Sequence, residues 1–149
     1  MGYSSKDFGR TRVELDVQLP DKLVHRDVER TNRDERFSSE RRHPVFVVDL
    51  PSRTLSVTIG ILEPGQTASR HRHSYETILY ILEGQGCTVI EHRRVEWKPG
   101  DAVYIPVWTW HQHRNSSAST RCRYLACENA PLLQNLGAAV REEEELSDP

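Results

Sequence analysis

What this 149-residue chain lacks narrows it first. A basic excess is absent: 20 lysines and arginines stand against 22 aspartates and glutamates, for a formal net charge of −2. No global field therefore exists to hold nucleic acid or an anionic membrane surface. No apolar run approaches the roughly 18 residues of a membrane span, and the opening MGYSSKDFGR offers no apolar stretch suited to a secretory signal. A cytoplasmic protein with neither a membrane nor a nucleic-acid partner is the expectation. Cysteine is scarce: Cys87, Cys122 and Cys127 form no CxxC pair and are odd in number, which argues against a disulfide framework or a zinc knuckle. Cys122 and Cys127 are five apart on what reads as one strand, so they should face opposite sides and not readily bridge. No internal repeat is visible, and the length suits one domain with a real core.

The texture of what is present changes at residue 45. Residues 1–44 are polar and charge-dense, with HRDVERTNRDER and SSERRH showing almost no apolar periodicity. Val13, Leu15, Val17 and Leu19 alternate and predict one strand; the rest of this extension is expected to be solvated or to touch a second subunit. Across 45–128 short apolar or alternating runs follow one another: VFVVDL, Leu55 to Ile61, TILYIL, CTVI, VEW, AVYIP and RCRYLAC. Turn chemistry separates them, at EPGQ (63–66), EGQG (83–86) and KPGD (98–101). Many short strands at even spacing predict an all-β antiparallel sandwich or barrel. In residues 129–149, the stretch 131–146 predicts a short C-terminal helix whose ragged end is an acidic, solvent-exposed tail of four glutamates.

Four of the seven histidines fall in two clusters, HRHSYE at 71–76 and WTWHQH at 108–113. His71 and His73, two apart on a strand, project from one face. A third imidazole from a facing strand would complete one side of a metal's coordination sphere and leave the other open. Any one of these histidines alone reads as a hydrogen-bonded barrel residue, but clustering at ligand spacing points to a metal.

The clusters sit inside longer patterns that resemble the cupin superfamily. Gly65, five residues, His71-Arg72-His73 and a strand ending at Gly84 resemble the first cupin motif. Gly100, five residues, Pro106, then His111, three residues and Asn115 resemble the second. The resemblance covers about residues 45–127 and implies a small jelly-roll barrel. Most metal-binding cupins carry a glutamate where this chain has Thr77. Glu76 stands one residue early, and a one-residue shift on a strand turns it to the opposite face unless a bulge re-aims it. The chain is similar in particular to the gentisate and salicylate dioxygenase branch, where the HRH also lacks that glutamate and the second motif reads close to PVWTWHQHRN. That resemblance implies iron(II) held by His71, His73 and His111, and ring cleavage by dioxygen. Zinc, nickel or manganese would suit the same imidazoles. With no carboxylate among the ligands, a divalent ion should attract an anionic, chelating oxygen pair. Two departures stand out: those enzymes are typically double-barrel chains, and Leu79 replaces their arginine that grips a substrate carboxylate.

Around the metal face, His113 shares a strand face with His111 and is the candidate catalytic residue, as a proton relay or oxygen-orienting group, or else a rim cap. Leu79, Tyr104 and Trp108 are the candidate substrate-binding residues; Trp108 and Trp110 read equally as ordinary barrel packing. Arg70 and Arg72 alternate with the histidines and should point outward. The expected function is an iron(II) dioxygenase acting on a small aromatic or enolic compound. A non-oxidative metal-dependent lyase, isomerase or cyclase, and a non-catalytic small-molecule-binding cupin, use the same residues. A homodimer built through the N-terminal strand and the charged segment is expected.

Overall fold

A computed structural model describes residues 19–144. The strand expected over Val13–Leu19 lies, apart from Leu19, outside the described residues. In chain order the strands are β1 (Val45–Val47), β2 (Ser56–Leu62), β3 (His71–His73), β4 (Thr77–Glu83), β5 (Gly86–Ile90), β6 (Arg93–Trp97), β7 (Ala102–Ile105), β8 (His111–Arg114), β9 (Cys122–Glu128) and β10 (Arg141–Glu143). They form two antiparallel five-stranded sheets, ordered β1-β2-β9-β4-β7 and β10-β3-β8-β5-β6. This is the two-sheet barrel the alternating pattern predicts.

Alternation decides which side chains enter the barrel. On β4 Thr77, Leu79 and Ile81 are buried while Ile78, Tyr80 and Leu82 are exposed; on β9 Cys122, Tyr124, Ala126 and Glu128 face inward. Leu62, Ile81, Trp97, Val103, Ile105 and Cys122 belong to the apolar core. Burying each large apolar side chain contributes about 1.5–3 kcal/mol. The inward rows of β4 and β9 then turn polar together, ending in the paired residues Thr77 and Glu128. One end of the barrel is thus a packed apolar plug and the other a polar chamber. Cys122 is buried and Cys127 half-buried, on opposite faces, and all three cysteines are free.

The turns obey their residues. Gly65 (φ 74°) and Gly100 (φ 92°) follow Pro64 and Pro99, and the amides of Gln66 and Asp101 close the turns onto the carbonyls of Glu63 (2.9 Å) and Lys98 (3.1 Å). Proline sets the first central dihedral, and glycine takes the positive φ of the second.

Both flanks differ from a purely solvated reading. Helices α1 (Val28–Thr31) and α2 (Glu35–Arg41) precede the barrel. Helix α2 starts where the Asp34 carboxylate accepts from the Phe37 amide (2.8 Å), and it docks on β1 through the Val45 amide, which donates to Ser38 Oγ (2.9 Å). With Ser38 its one buried residue, the helix leaves no apolar stripe to read. At the other flank the helix expected over 131–146 is shorter: α3 spans Ala130–Asn135 and ends before Gly137 (φ 68°). The start of the acidic run, Glu142 and Glu143, is strand rather than free tail. β10 pairs with β3, setting Arg141 opposite His73 and Glu142 opposite Arg72. Arg72 Nε donates to Glu142 (2.7 Å), Arg70 pairs with Glu144, and Arg72 lies over the rings of Trp108 (4.4 Å) and Trp110 (4.6 Å). Arg70 and Arg72 do point outward, where they hold β10 in place.

Candidate metal centre

His71 and His73 enter the chamber from β3, and His111 from β8, where it is the register partner of His71. Their ring centroids lie 4.2 Å (His71–His111), 4.8 Å (His73–His111) and 5.7 Å (His71–His73) apart, and one nitrogen from each falls within 4.8 Å of the others. Each Nδ1 faces a carbonyl oxygen: Ser69 (3.1 Å), Tyr75 (2.7 Å) and Thr109 (2.9 Å), respectively. A carbonyl only accepts, so each Nδ1 carries the proton and each Nε2 presents a lone pair inward. Burial lowers all three pKa values, to about 3 for His73 and about 4 for His111; His71 falls well below its ordinary value, through burial and then the neighbouring His111. Three neutral imidazoles with converging lone pairs have the donor set and protonation state a divalent ion requires. The Tyr75 ring stacks on His73 at 3.9 Å and fixes its plane.

His113 is built differently. It sits opposite Thr88 in the β5–β8 register, and its Nδ1 lies 3.0 Å from Thr88 Oγ1. That oxygen already accepts from the indole of Trp97 (3.0 Å). The buried Thr88 hydroxyl has no other acceptor among the described residues, so its proton goes to His113 Nδ1, which accepts and leaves the hydrogen on Nε2. Burial keeps this imidazole neutral as well. The chamber is therefore offered three lone pairs and one N–H. His43 forms a parallel case: its Nδ1 faces the Pro44 carbonyl (3.1 Å) and its Nε2 accepts from the buried Tyr124 hydroxyl (3.1 Å). Gly60 makes that contact possible, because a Cβ there would overlap the Tyr124 ring.

Of the residues singled out by sequence, His71, His73, His111, His113 and Leu79 line one cavity. Tyr104 and Trp108 do not reach it. The Tyr104 hydroxyl donates to Glu76 (2.7 Å) at the exposed surface, which also accounts for Glu76. Trp108, at φ 62°, lies under Arg72, and its amide donates to the His73 carbonyl (2.8 Å). Tyr104 falls on the outward row of β7, and Trp108 sits in the turn between β7 and β8. The sequence reading did not include Arg41, His43, Tyr124, Glu128 or Arg141. Two of these carry a local signal: His43 is two residues before inward Val45, and Glu128 is the polar end of the inward β9 row.

The histidine chamber encloses about 20 Å³, enough for water but not for an aromatic ring. Beyond it lies a cleft of about 370 Å³ that shares Arg41, Thr58 and Glu128 with the chamber and is flanked by Phe37, Tyr75, Val140 and Arg141.

A two-sheet barrel with a three-histidine cluster in its polar end defines a class, and comparison with known proteins agrees with it. Residues 58–127 match the family described as Cupin domain, and the two-sheet barrel has the cupin-type fold. The chain is similar to a 5-aminosalicylate 1,2-dioxygenase of Comamonas sp, with 32% identity over 85 residues, 56% of this chain and 22% of that protein. It is also similar to a 5-nitrosalicylic acid 1,2-dioxygenase of Bradyrhizobium sp, with 29% identity over 122 residues, 75% of this chain and 58% of that protein. Among solved structures, a salicylate 1,2-dioxygenase from Pseudaminobacter salicylatoxidans superposes with a TM-score of 0.65 and 26% identity, over 74% of this chain and 33% of that one. The chain thus spans less than two thirds of the length of these relatives. No helix among the described residues is long and apolar enough to cross a membrane.

Proposed function

We propose that this cupin is an oxygenase that opens a small aromatic or enolic compound with dioxygen, its iron(II) ion held by His71, His73 and His111. The observation carrying this reading is the proton pattern of the chamber: three inward lone pairs from neutral imidazoles beside one inward N–H and, among the described residues, no carboxylate in the ligand cluster. A divalent ion there supplies Lewis acidity, and iron(II) adds electron exchange with dioxygen. The protein's part is positioning. His113 Nε2–H is aimed to donate to a substrate oxygen that bears negative charge, a role suited to a neutral imidazole fixed by Thr88. Leu79 forms the apolar floor, while α2 and β10 narrow the entrance and exclude bulk water. Trp108 holds the loop that presents His111, and Tyr104 tethers Glu76; neither is assigned to substrate. The similarity to ring-cleaving dioxygenases supports the same reading.

The test is an oxygen-electrode screen of iron(II)-reconstituted protein with salicylate, gentisate, catechol and hydroquinone, followed by ultraviolet absorbance of the ring. Uptake matched by loss of the aromatic band, and abolished in His111→Ala, is the expected result. No uptake with any of the four overturns the proposal. We also propose a homodimer, supported by the apolar outer face of the β4–β7 edge, where Ile78, Tyr80, Leu82 and Tyr104 are exposed.

A further inference from the structure

Every lone pair that the histidines bring to the chamber already has a partner or a task. His71, His73 and His111 keep their Nε2 lone pairs for an ion, His43 Nε2 accepts from the Tyr124 hydroxyl (3.1 Å), and His113 spends Nδ1 on Thr88 (3.0 Å) and turns an N–H inward. No imidazole is left to take a proton from an entering ligand. Among the residues lining the chamber one carboxylate remains, Glu128. It ends the inward row of β9, after Tyr124 and Ala126, and is buried. The ladders fix its place, with Ser56 of β2 as register partner on one side and Thr77 of β4 on the other. The Thr77 hydroxyl donates to Oε1 (3.2 Å); Oε2 has no donor, and the carboxylate no ion pair, among the described residues. Glu128 also lines the outer cleft, a position it shares only with Arg41 and Thr58. A guanidinium cannot accept and a threonine hydroxyl is neutral, so Glu128 is the one anionic acceptor on the wall between the two spaces. The titratable and charged groups around it are Arg41 from α2, Arg141 from β10, Tyr75 ahead of β4, His43 ahead of β1 and Tyr124 on its own strand, while Arg36 and Glu40 pair with each other (2.9 Å) on the cleft side of α2.

We propose that Glu128 is the catalytic base of this site: it takes the hydroxyl proton of a small phenol or enol as that oxygen passes from the cleft into the chamber. The size relation sets the path. The chamber of about 20 Å³ admits only oxygen-sized groups, while the cleft of about 370 Å³ holds the ligand's body against Phe37, Val47, Pro131 and Val140. The reacting oxygen therefore crosses the wall where Glu128 stands, which is the hydrogen-bond reach a base requires. The O–H bond of the ligand breaks and an O–H bond to Oε2 forms, with no change of oxidation state, and Thr77 holds the other carboxyl oxygen during the exchange. The ligand oxygen is left negative, the form that both the ion and the inward N–H of His113 favour. The ligand class follows: compounds that arrive as neutral hydroxyl donors and bind as oxyanions. This rests on the reading that His71, His73 and His111 hold an ion; it does not rest on reaction with dioxygen.

Proton counting on zinc-loaded protein tests the base without turnover. Calorimetric titration with catechol, in two buffers of different ionisation enthalpy, gives the protons released for each ligand bound. The wild type should release none, because the catechol proton stays on Glu128, and Glu128→Gln should release about one. Around neutral pH, catechol affinity should accordingly be level with pH in the wild type and rise about tenfold per pH unit in the variant. At neutral pH the variant should bind catechol about tenfold or more weakly, with zinc content unchanged and affinity for azide, which brings no proton, undiminished. The wild-type count needs no variant and decides the matter if Glu128→Gln fails to fold. A full proton released by the wild type, no binding of catechol, or equal counts in the wild type and the folded variant overturns the base. No proton released, but no oxygen uptake by the iron-loaded protein, would sustain the base and remove the oxygenase reading; uptake alongside a full proton released would do the reverse.

Discussion

Thr88 and His113 face each other across β5 and β8, and the 3.0 Å contact from the Thr88 hydroxyl to Nδ1 decides which nitrogen of His113 bears the proton. The Trp97 indole donates to the same oxygen and anchors it, while the Thr88 proton has no other acceptor among the described residues. Thr88→Val keeps the shape but frees the His113 tautomer and leaves the buried Trp97 N–H unpaired. Stability should fall by about 1–3 kcal/mol. Metal content should be unchanged, and kcat of the proposed reaction should fall more than KM rises. Nitrogen NMR of the imidazole reads the tautomer directly, and a protonated Nδ1 in the wild type would refute the relay.

Metal binding should follow the lone pairs rather than histidine content. His111→Ala removes one of three converging donors and should lose the ion, whereas His113→Gln should retain it; elemental analysis after dialysis distinguishes them. Saturation at a hundred times the dissociation constant should stabilise the fold by about 3 kcal/mol, visible as a raised Tm that a chelator reverses.

Stability of the metal-free protein should fall with acid in a defined window. His43 and His111 are lowered to about 4 and His73 to about 3, all chiefly by burial, and His71 and His113 are lowered as well. The unfolded chain therefore takes up protons first, near its ordinary histidine pKa of about 6.5. The stabilisation is complete above that pH and is lost as pH falls toward 4 and then 3. Calorimetric scans from pH 7.5 to 4 in the presence of chelator should show Tm dropping by about 10 °C or more; a flat profile would contradict burial of neutral imidazoles.

Gly60 is fixed by its neighbour. In Gly60→Ala the added methyl overlaps the Tyr124 ring, which must shift and release its hydroxyl from His43. A loss of about 1–3 kcal/mol and an increase in Tyr124 ring mobility are expected, and denaturant titration checks the first.

If the outer face of the β4–β7 edge is a dimer contact, light scattering should give twice the chain mass, and Tyr80→Arg should halve it without lowering metal content. A wild type that is monomeric at high micromolar concentration would remove that interface.

The legible parts of this protein are local ones. Period-two alternation in β4 and β9 names the inward side chains, and proline followed by glycine names the turns at Gly65 and Gly100, because each signal lies within a few residues. The spacing of His71 and His73 placed both on one face, and the one-residue offset of Glu76 turned it outward to Tyr104. Short helix α2 and strand β10 were not legible. The first buries only Ser38, and the second is an acidic run whose partners, Arg70 and Arg72, are some seventy residues away.

The chain alone was enough to specify a two-sheet barrel and three histidines able to meet in it. Two things were decided by tertiary structure: where the protons sit and where the charge enters. A histidine's tautomer depends on whether a carbonyl or a hydroxyl happens to face its Nδ1, so His111 and His113, two residues apart on one strand, present opposite groups to the same chamber. Arg41 and Arg141 stand at its mouth because a docked helix and an edge strand bring them there, a through-space register that no spacing along the chain encodes.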